Sequence, residues 1–259
     1  MALHRFFASR GHLEPIANLR AALERPDPVP VALRARALYA TGYLVLSLLG
    51  MEDRQEVHTA GELFERALEM ARDLDDRGFL SEALSGLSGA AAYLEETTRA
   101  TLLGEEALEV ARSLGDPSLI GWALRNLELG ATTPEMRQAR HLEAIACFRQ
   151  AGDIHRVCLM LANLAGDELA HREVEAARAH FEEAIAVAEE IPSSRYLPSM
   201  RLGLGLILFL QGELEEAELS SRKALIAYRR LGRPGVNAAF AIFLSACCAT
   251  GTGDYRRAA

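Results

Sequence analysis

The chain has 259 residues, of which 50% are hydrophobic and 25% are charged, so it is long enough to bury a substantial core. Its formal net charge of −8 argues against attraction to DNA, RNA or an anionic membrane, because phosphate binding requires clustered positive charge. No apolar run approaches the roughly 20 residues of a membrane span, and residues 1–10 lack the pattern of a signal peptide. The four cysteines show no CxxC spacing, which favours reduced thiols and a cytoplasmic location.

Helices are predicted in chain order from apolar residues three and four positions apart. A first helix near 13–24 ends at the loop Pro26–Pro30, because three prolines in five residues cannot continue a helix. Helix pairs are then expected at about 31–75, 79–114, 117–151, 154–190 and 194–231, with a last helix near 235–250. Capping residues are expected at Thr59 with Glu62, at Asp116 and at Thr133. Left-handed glycines are expected to end helices at Gly50, Gly115, Gly152, Gly212 and Gly232.

The predicted second helices share a repeated pattern that starts at an alanine. The leading alanines are 40, 37, 40 and 40 residues apart, at Ala67, Ala107, Ala144, Ala184 and Ala224. A further alanine precedes four of them by seven residues, and a leucine follows each of them by 20 residues. Small residues at fixed positions let helices approach closely, and one pair buries its apolar face only against stacked neighbours. The spacing therefore predicts an all-α, right-handed superhelical solenoid of antiparallel helix pairs.

Several segments resemble the tetratricopeptide repeat. Leu204-Gly205 and Leu164-Ala165 are similar to its first-helix signature, and Gly212-Glu-Leu-Glu-Glu-Ala217 is similar to the opening of its second helix. The period of about 40 residues departs from the 34 of the standard repeat, and the proline that closes the second helix is mostly absent. Arg10-Gly-His-Leu-Glu14 resembles the entry to the C-terminal arrays of bacterial LuxR-type and AfsR-like signal-transduction ATPase regulators.

Residues 1–259 are expected to form one array that is part of a longer protein. Leu3 to Ser9 resembles the tail of a first helix, and Asp254 to Ala259 resembles the first turn of a second helix, whereas a natural array ends in a polar capping helix. Apolar residues near both ends are expected to cause weak self-association, and with it a homo-oligomer. They include Phe6, Phe7, Phe240 and Phe243.

The sequence carries no motif for catalysis or for nucleotide binding. Lys223 has no preceding glycine-rich loop, so there is no Walker motif, and HExxH and Gly-x-Ser-x-Gly are absent. His155 and Cys158 lie three residues apart, but a closed zinc site needs four ligands, and we interpret Cys158 as a packing residue. Glutamate clusters such as Glu182-Glu183 are interpreted as solvated faces. We expect no cofactor, no metal and no enzymatic activity.

One repeated position is a candidate for binding. It lies nineteen residues after each leading alanine and holds Gly86, Asn126, Asn163, Gly203 and Phe243. The tetratricopeptide resemblance implies that this position lines the concave groove, where asparagine bonds the backbone of a bound peptide. The expected partner-binding residues are Trp122, Arg125, Asn126, Leu159 and Asn163. The alternative is that the amides bond neighbouring helices, since a buried amide must find partners either way.

The resemblance and the motif search lead to a hypothesis about function. The chain is expected to be the sensor or scaffold of a bacterial transcriptional or signalling regulator, binding a protein, a peptide or a small inducer. A freestanding cytoplasmic tetratricopeptide adaptor is the alternative, and an enzyme is the third and less favoured hypothesis. Neither nucleic acid nor membrane is expected to contact this segment directly.

Overall fold

The computed structural model describes residues 13–24, 29–49, 53–128, 131, 133–191, 194, 196–230 and 236–251. These ranges hold twelve α-helices and no strand, which confirms the predicted all-α class. The helices are α1 Glu14–Leu23, α2 Val31–Leu48, α3 Arg54–Arg72, α4 Arg77–Tyr93, α5 Thr97–Leu114, α6 Pro117–Glu128, α7 Pro134–Gln150, α8 Ile154–Ala170, α9 Val174–Glu189, α10 Leu197–Gln211, α11 Leu214–Arg230 and α12 Val236–Gly251. None of these twelve is long and apolar enough to cross a membrane.

The chain divides into two compact units, Met1–Asp153 (unit 1) and Ile154–Ala259 (unit 2). In unit 1 the hairpins α2–α3, α4–α5 and α6–α7 stack in chain order, and α4 packs against both α2 and α6. In unit 2 the hairpins α8–α9 and α10–α11 stack in the same way, and α12 packs against α11 and α10. Each unit is therefore built from stacked helix pairs. The expectation that residues 1–259 form one array within a longer protein stays a prediction.

The repeated alanines are buried in the helix packing. All five leading alanines, Ala67, Ala107, Ala144, Ala184 and Ala224, are 0% exposed. Their upstream partners Ala60, Ala100, Ala177 and Ala217 are buried as well. Four of the five predicted leucines are also buried, and Leu204 is half-buried. Because buried apolar surface stabilises a fold by about 25 cal/mol per Å², the repeated alanines and leucines supply much of the core.

Phenylalanines of the second helices fill space that glycines leave on the first helices. The ring of Phe64 on α3 lies against Gly86 on α4, where an added Cβ would come within 2.8 Å of it. The ring of Phe148 on α7 lies against Gly121 on α6 at the same separation. These glycines are needed because close-packed interiors hold no room for an additional methyl group.

Within the described residues, the helix ends follow the sequence signals with one exception. Gly115, Gly152 and Gly212 have positive φ angles of 65°, 68° and 83°, which confirms them as left-handed terminators. Thr133 Oγ1 accepts a hydrogen bond from the backbone N–H of Met136 at 3.2 Å, as predicted for an N-cap. Asp116 Oδ1 accepts from the backbone N–H of Ser118 at 2.8 Å.

The predicted capping box at Thr59 and Glu62 is wrong. Thr59 lies inside α3, and its hydroxyl donates to the carbonyl oxygen of Gln55 at 3.0 Å. The N-cap is Asp53, whose Oδ1 accepts from the backbone N–H of Gln55 at 2.8 Å. The helix starts earlier because Asp53, also a favoured N-cap residue, already caps it there. The signals at Pro26, Gly50 and Gly232, the terminal segments 3–9 and 254–259, and Phe6 and Phe7 lie outside the described residues.

Candidate functional site

Three of the five predicted binding residues lie on α6 of unit 1. The helix begins directly after Asp116, whose side chain caps the first turn and so sets the start of the helix that carries the site residues. Trp122 and Asn126 are four residues apart and therefore share one face of the helix. Both are buried, with exposed fractions of 5% and 2%, and Arg125 is half-buried beside them.

Asn126 lies in the contact between α6 and α4. Its side chain packs on Gly89, where an added Cβ would come within 2.9 Å of Oδ1. Oδ1 accepts a hydrogen bond from Arg125 Nη1 at 2.8 Å. The amide nitrogen, Nδ2, has no acceptor among the described residues. A buried donor without an acceptor costs about 1–3 kcal/mol, which makes this amide nitrogen the candidate polar group for a ligand contact.

Arg125 and Trp122 continue the site toward α2. The guanidinium carbon of Arg125 lies 5.2 Å from the ring centroid of Trp122, which is a cation–π geometry. Trp122 also contacts Tyr43 on α2, with ring centroids 5.5 Å apart and an interplanar angle of 48°. Tyr43 is half-buried, and its ring in turn lies 6.4 Å from that of Tyr39. Tyr43 is a member of the site that the repeat pattern did not indicate.

Helix α4, which packs between α2 and α6, carries small residues where it faces the site. On α4, Gly86 faces the ring of Tyr39 and Gly89 faces Asn126. Ser85 is also buried on α4, and its hydroxyl has no hydrogen-bond partner among the residues described. Because α4 lacks bulk at these positions, side chains from α2 and α6 reach each other across it.

The remaining two predicted residues, Leu159 and Asn163, lie on α8 of unit 2. Both are half-buried, and their spacing of four places them on one helix face. The structure therefore brings Trp122, Arg125 and Asn126 together in unit 1, and Leu159 and Asn163 together in unit 2. Whether the two groups bind one partner stays a prediction.

Cys158, which precedes Leu159, is a packing residue of unit 2. Its Sγ lies 3.6 Å from the carbonyl oxygen of Ala184 and 3.6 Å from Met200 Sδ. Burial raises the pKa of this thiol to about 12. Within the described ranges no group of three His, Cys, Asp or Glu side chains is arranged to hold a metal ion.

Two buried carboxylates near the ends of first helices form contacts that the sequence reading missed. Glu128 Oε2 at the end of α6 lies 2.6 Å from His141 Nδ1 on α7, and both side chains are buried. Glu168 Oε2 in the last turns of α8 lies 2.7 Å from His180 Nδ1 on α9, and here the histidine is partly exposed. Each contact joins the two helices of one hairpin. The 40-residue spacing of the two glutamates was the signal available in the sequence.

No family model matches the sequence, and no curated protein matches it. Solved structures do match. BtubC from P. vanneervenii is 20% identical with a TM-score of 0.64, over 90% of this chain and 93% of that chain. A signal transduction ATPase with numerous domains and a tetratricopeptide repeat sensor, from Pyrococcus horikoshii, is 16% identical with a TM-score of 0.67, over 94% of this chain. This chain spans 43% of that ATPase.

A Rap protein complexed with Competence and Sporulation Factor is 12% identical with a TM-score of 0.65, over 94% of this chain and 71% of that chain. Identities this low establish a shared fold and nothing more. The likeness confirms the predicted tetratricopeptide-like solenoid fold. It leaves the ligand and the regulatory class to be argued from the residues of this chain.

Proposed function

We propose that this chain is a protein- or peptide-binding repeat module, the cytoplasmic sensor or scaffold of a bacterial transcriptional or signalling regulator. The observation that carries the proposal is the grouping of Trp122, Arg125 and Asn126 on α6, with an amide nitrogen that has no acceptor among the described residues. Tryptophan and arginine are favoured anchors at interfaces because they combine large area with directed polar contacts. An asparagine amide beside them suits the carbonyl groups of an extended peptide.

The similar structures support this class of function. One is an ATPase whose tetratricopeptide repeats are called a sensor, and another is a Rap protein in complex with a factor. Arrays of this kind present extended surfaces to their partners. The relation to LuxR-type or AfsR-like regulators rests on the sequence resemblance and is part of the proposal, as is a small inducer in place of a peptide.

A freestanding adaptor protein is the second candidate. The regulator and the adaptor differ in which domains flank the repeat array. An upstream P-loop domain or a downstream helix-turn-helix segment in the same reading frame would identify the regulator. A reading frame that holds only repeats would identify the adaptor. Both assign binding and no catalysis to this chain.

Binding is tested by panning a phage-displayed library of random peptides against the purified chain. The affinity of a selected peptide is then measured by isothermal titration calorimetry. We expect Asn126→Ala combined with Asn163→Ala to weaken binding at least tenfold, about 1.4 kcal/mol, with helicity and melting temperature nearly unchanged. Asn18→Ala, an exposed asparagine on α1, is the matched control and should bind normally.

Two results would contradict the site. If the double variant loses its helicity, the amides hold the helices together and do not read a ligand. If it binds the peptide as the unmodified chain does, the binding surface lies elsewhere. Recovery of no peptide above background would count against peptide binding itself.

A further inference from the structure

The outer face of α11 in unit 2 consists of the exposed side chains of this helix. They are Glu215, Glu216, Leu219, Arg222, Lys223, Ile226, Arg229 and Arg230. The opposite face is buried and carries Ala217, Ala224 and Tyr228. Leu219 and Ile226 are 50% and 44% exposed and lie seven residues apart, about two helical turns, so the outer face presents two neighbouring apolar side chains to solvent.

The charged side chains of the outer face are separated by sign along the helix. Glu215 and Glu216 lie in the first turn, and Arg229 and Arg230 lie in the last turn. None of these four forms an ion pair within the described ranges, and neither does Lys223. Each end favours the charge it carries because of the helix dipole. The outer face therefore has an acidic end, an apolar middle and a basic end.

We propose that the outer face of α11 is a self-complementary docking surface for a second copy of this chain, which packs its own α11 antiparallel to the first. The alignment is centred between Arg222 and Lys223, so Leu219 of each copy lies opposite Ile226 of the other. The two-fold axis of such a pair makes every contact occur twice. The inference goes beyond the proposed binding function and does not depend on it, because the candidate site lies on α6 of unit 1.

Charge complementarity selects both the antiparallel direction and the second copy as the occupant. In this alignment Glu215 lies opposite Arg230 of the other copy, and Glu216 lies opposite Arg229. A parallel pair would bring the two acidic ends together and the two basic ends together, and like charges repel. A uniformly acidic partner would leave Glu215 and Glu216 facing like charge, which disfavours such a partner.

The centre of the antiparallel pair brings Lys223 opposite Arg222 of the other copy. Arg222 is paired with Glu218 on its own helix, so its charge is offset. The long aliphatic stem of Lys223 can cover the apolar middle while its ammonium group stays in water. The central charges are therefore compatible with contact between the two helices.

The proposal is tested by sedimentation velocity on the full chain over a concentration series. Phe243 on α12 is 62% exposed and offers a separate apolar contact, so every protein in the series carries Phe243→Gln. We expect this reference protein to form a dimer that dissociates on dilution, because one helix from each copy supplies the contact. A reference protein that stays monomeric throughout the series would overturn the proposal.

Two charge variants of the reference protein test the alignment. The acidic variant carries Arg229→Glu with Arg230→Glu, and the basic variant carries Glu215→Arg with Glu216→Arg. Each is expected to raise the dissociation constant of its own dimer at least tenfold, because like charges then face each other. Mixed in equal amounts, the two variants again place opposite charges face to face, and a dimer should return at the sedimentation coefficient of the reference dimer.

The matched control is Arg66→Glu with Arg72→Glu, at two exposed arginines on α3. It changes the net charge as much as the acidic variant does but leaves α11 intact, so it should dimerise as the reference protein does. A control that loses its dimer as the acidic variant does would assign the effect to net charge and overturn the proposal.

Three further results decide the outcome. An acidic or basic variant that dimerises as the reference protein does would overturn the proposal, as would a mixture that stays monomeric. If circular dichroism shows that a charge variant has lost its helicity, Leu219→Gln takes its place. This change removes an apolar contact that occurs twice, so the dissociation constant should rise at least threefold, and an unchanged constant overturns the proposal. Peptide binding at α6 is measured separately and stands or fails on its own.

Discussion

Gly203 on α10 lies directly against the ring of Phe181 on α9. A Cβ built on Gly203 would come within 2.8 Å of Cε1 of this ring and still closer to Cζ. The Phe181 ring is buried, so it has little room to withdraw. The helices α9 and α10 therefore approach each other at a distance that only glycine permits.

The first prediction concerns this contact. Gly203→Ala is expected to lower the free energy of unfolding by about 1–3 kcal/mol, the usual cost of overpacking a core. Gly166→Ala on α8 is the matched control, because nothing lies within 4 Å of an added Cβ there. It should raise stability by about 0.5–1 kcal/mol through its helix propensity. Urea unfolding measures the free energy of unfolding of both variants. Equal free energies for the two would show that the Phe181 ring moves aside without cost.

The second prediction concerns the histidine contacts. His141→Ala is expected to destabilise the chain by about 3 kcal/mol, because it leaves the buried Glu128 carboxylate without its partner. His180→Ala should cost about 1 kcal/mol, since that histidine is 28% exposed and water can replace it beside Glu168. Denaturant unfolding at neutral pH measures both. A larger loss for His180→Ala would contradict the ranking by burial.

The third prediction concerns thiol reactivity. Because burial raises the pKa of the Cys158 thiol to about 12, its reactive thiolate is scarce at pH 8. Cys158 should therefore resist N-ethylmaleimide in the folded chain. Cys247 is half-buried on α12 and should be alkylated earlier. Peptide mass mapping over time gives the order of labelling. Early labelling of Cys158 would show that unit 2 opens locally around α8.

The fourth prediction concerns self-association through α12. Phe240 and Phe243 stack with ring centroids 6.4 Å apart, and Phe243 is 62% exposed on a helix without a charged residue. Weak self-association is expected, and Phe243→Gln should reduce it. Sedimentation velocity over a concentration series measures the effect. Leu142→Gln, which changes an exposed leucine on α7, is the control. A monomeric unmodified chain at high concentration would contradict this prediction.

The repeat was readable from the sequence because its alanines are set by packing. An alanine at a helix crossing has one role, and all five leading alanines are fully buried as their spacing indicates. Glycine terminators were equally readable, since a positive φ favours glycine. The start of α3 could not be predicted in the same way. Thr59 and Asp53 both carry capping side chains near it, and only the fold decides between them.

The site was readable only in part. The spacing of four residues placed Trp122 and Asn126 on one face of α6, which the structure shows. The burial of Asn126 could not be predicted, since its side chain packs on Gly89 of the preceding hairpin. Tyr43 could not be found either, because it lies 79 residues before Trp122 and outside the repeated pattern. Such contacts arise from the stacking of hairpins and leave no local signal.

The single tryptophan gives a fluorescence signal for thermal unfolding that reports on one part of this chain. Trp122 belongs to unit 1, so its emission follows the unfolding of unit 1 alone, whereas far-UV circular dichroism sums the helices of both units. Thermal curves from the two signals that coincide would identify one cooperative transition. Curves that separate would give each unit its own melting temperature, obtained without labelling the protein.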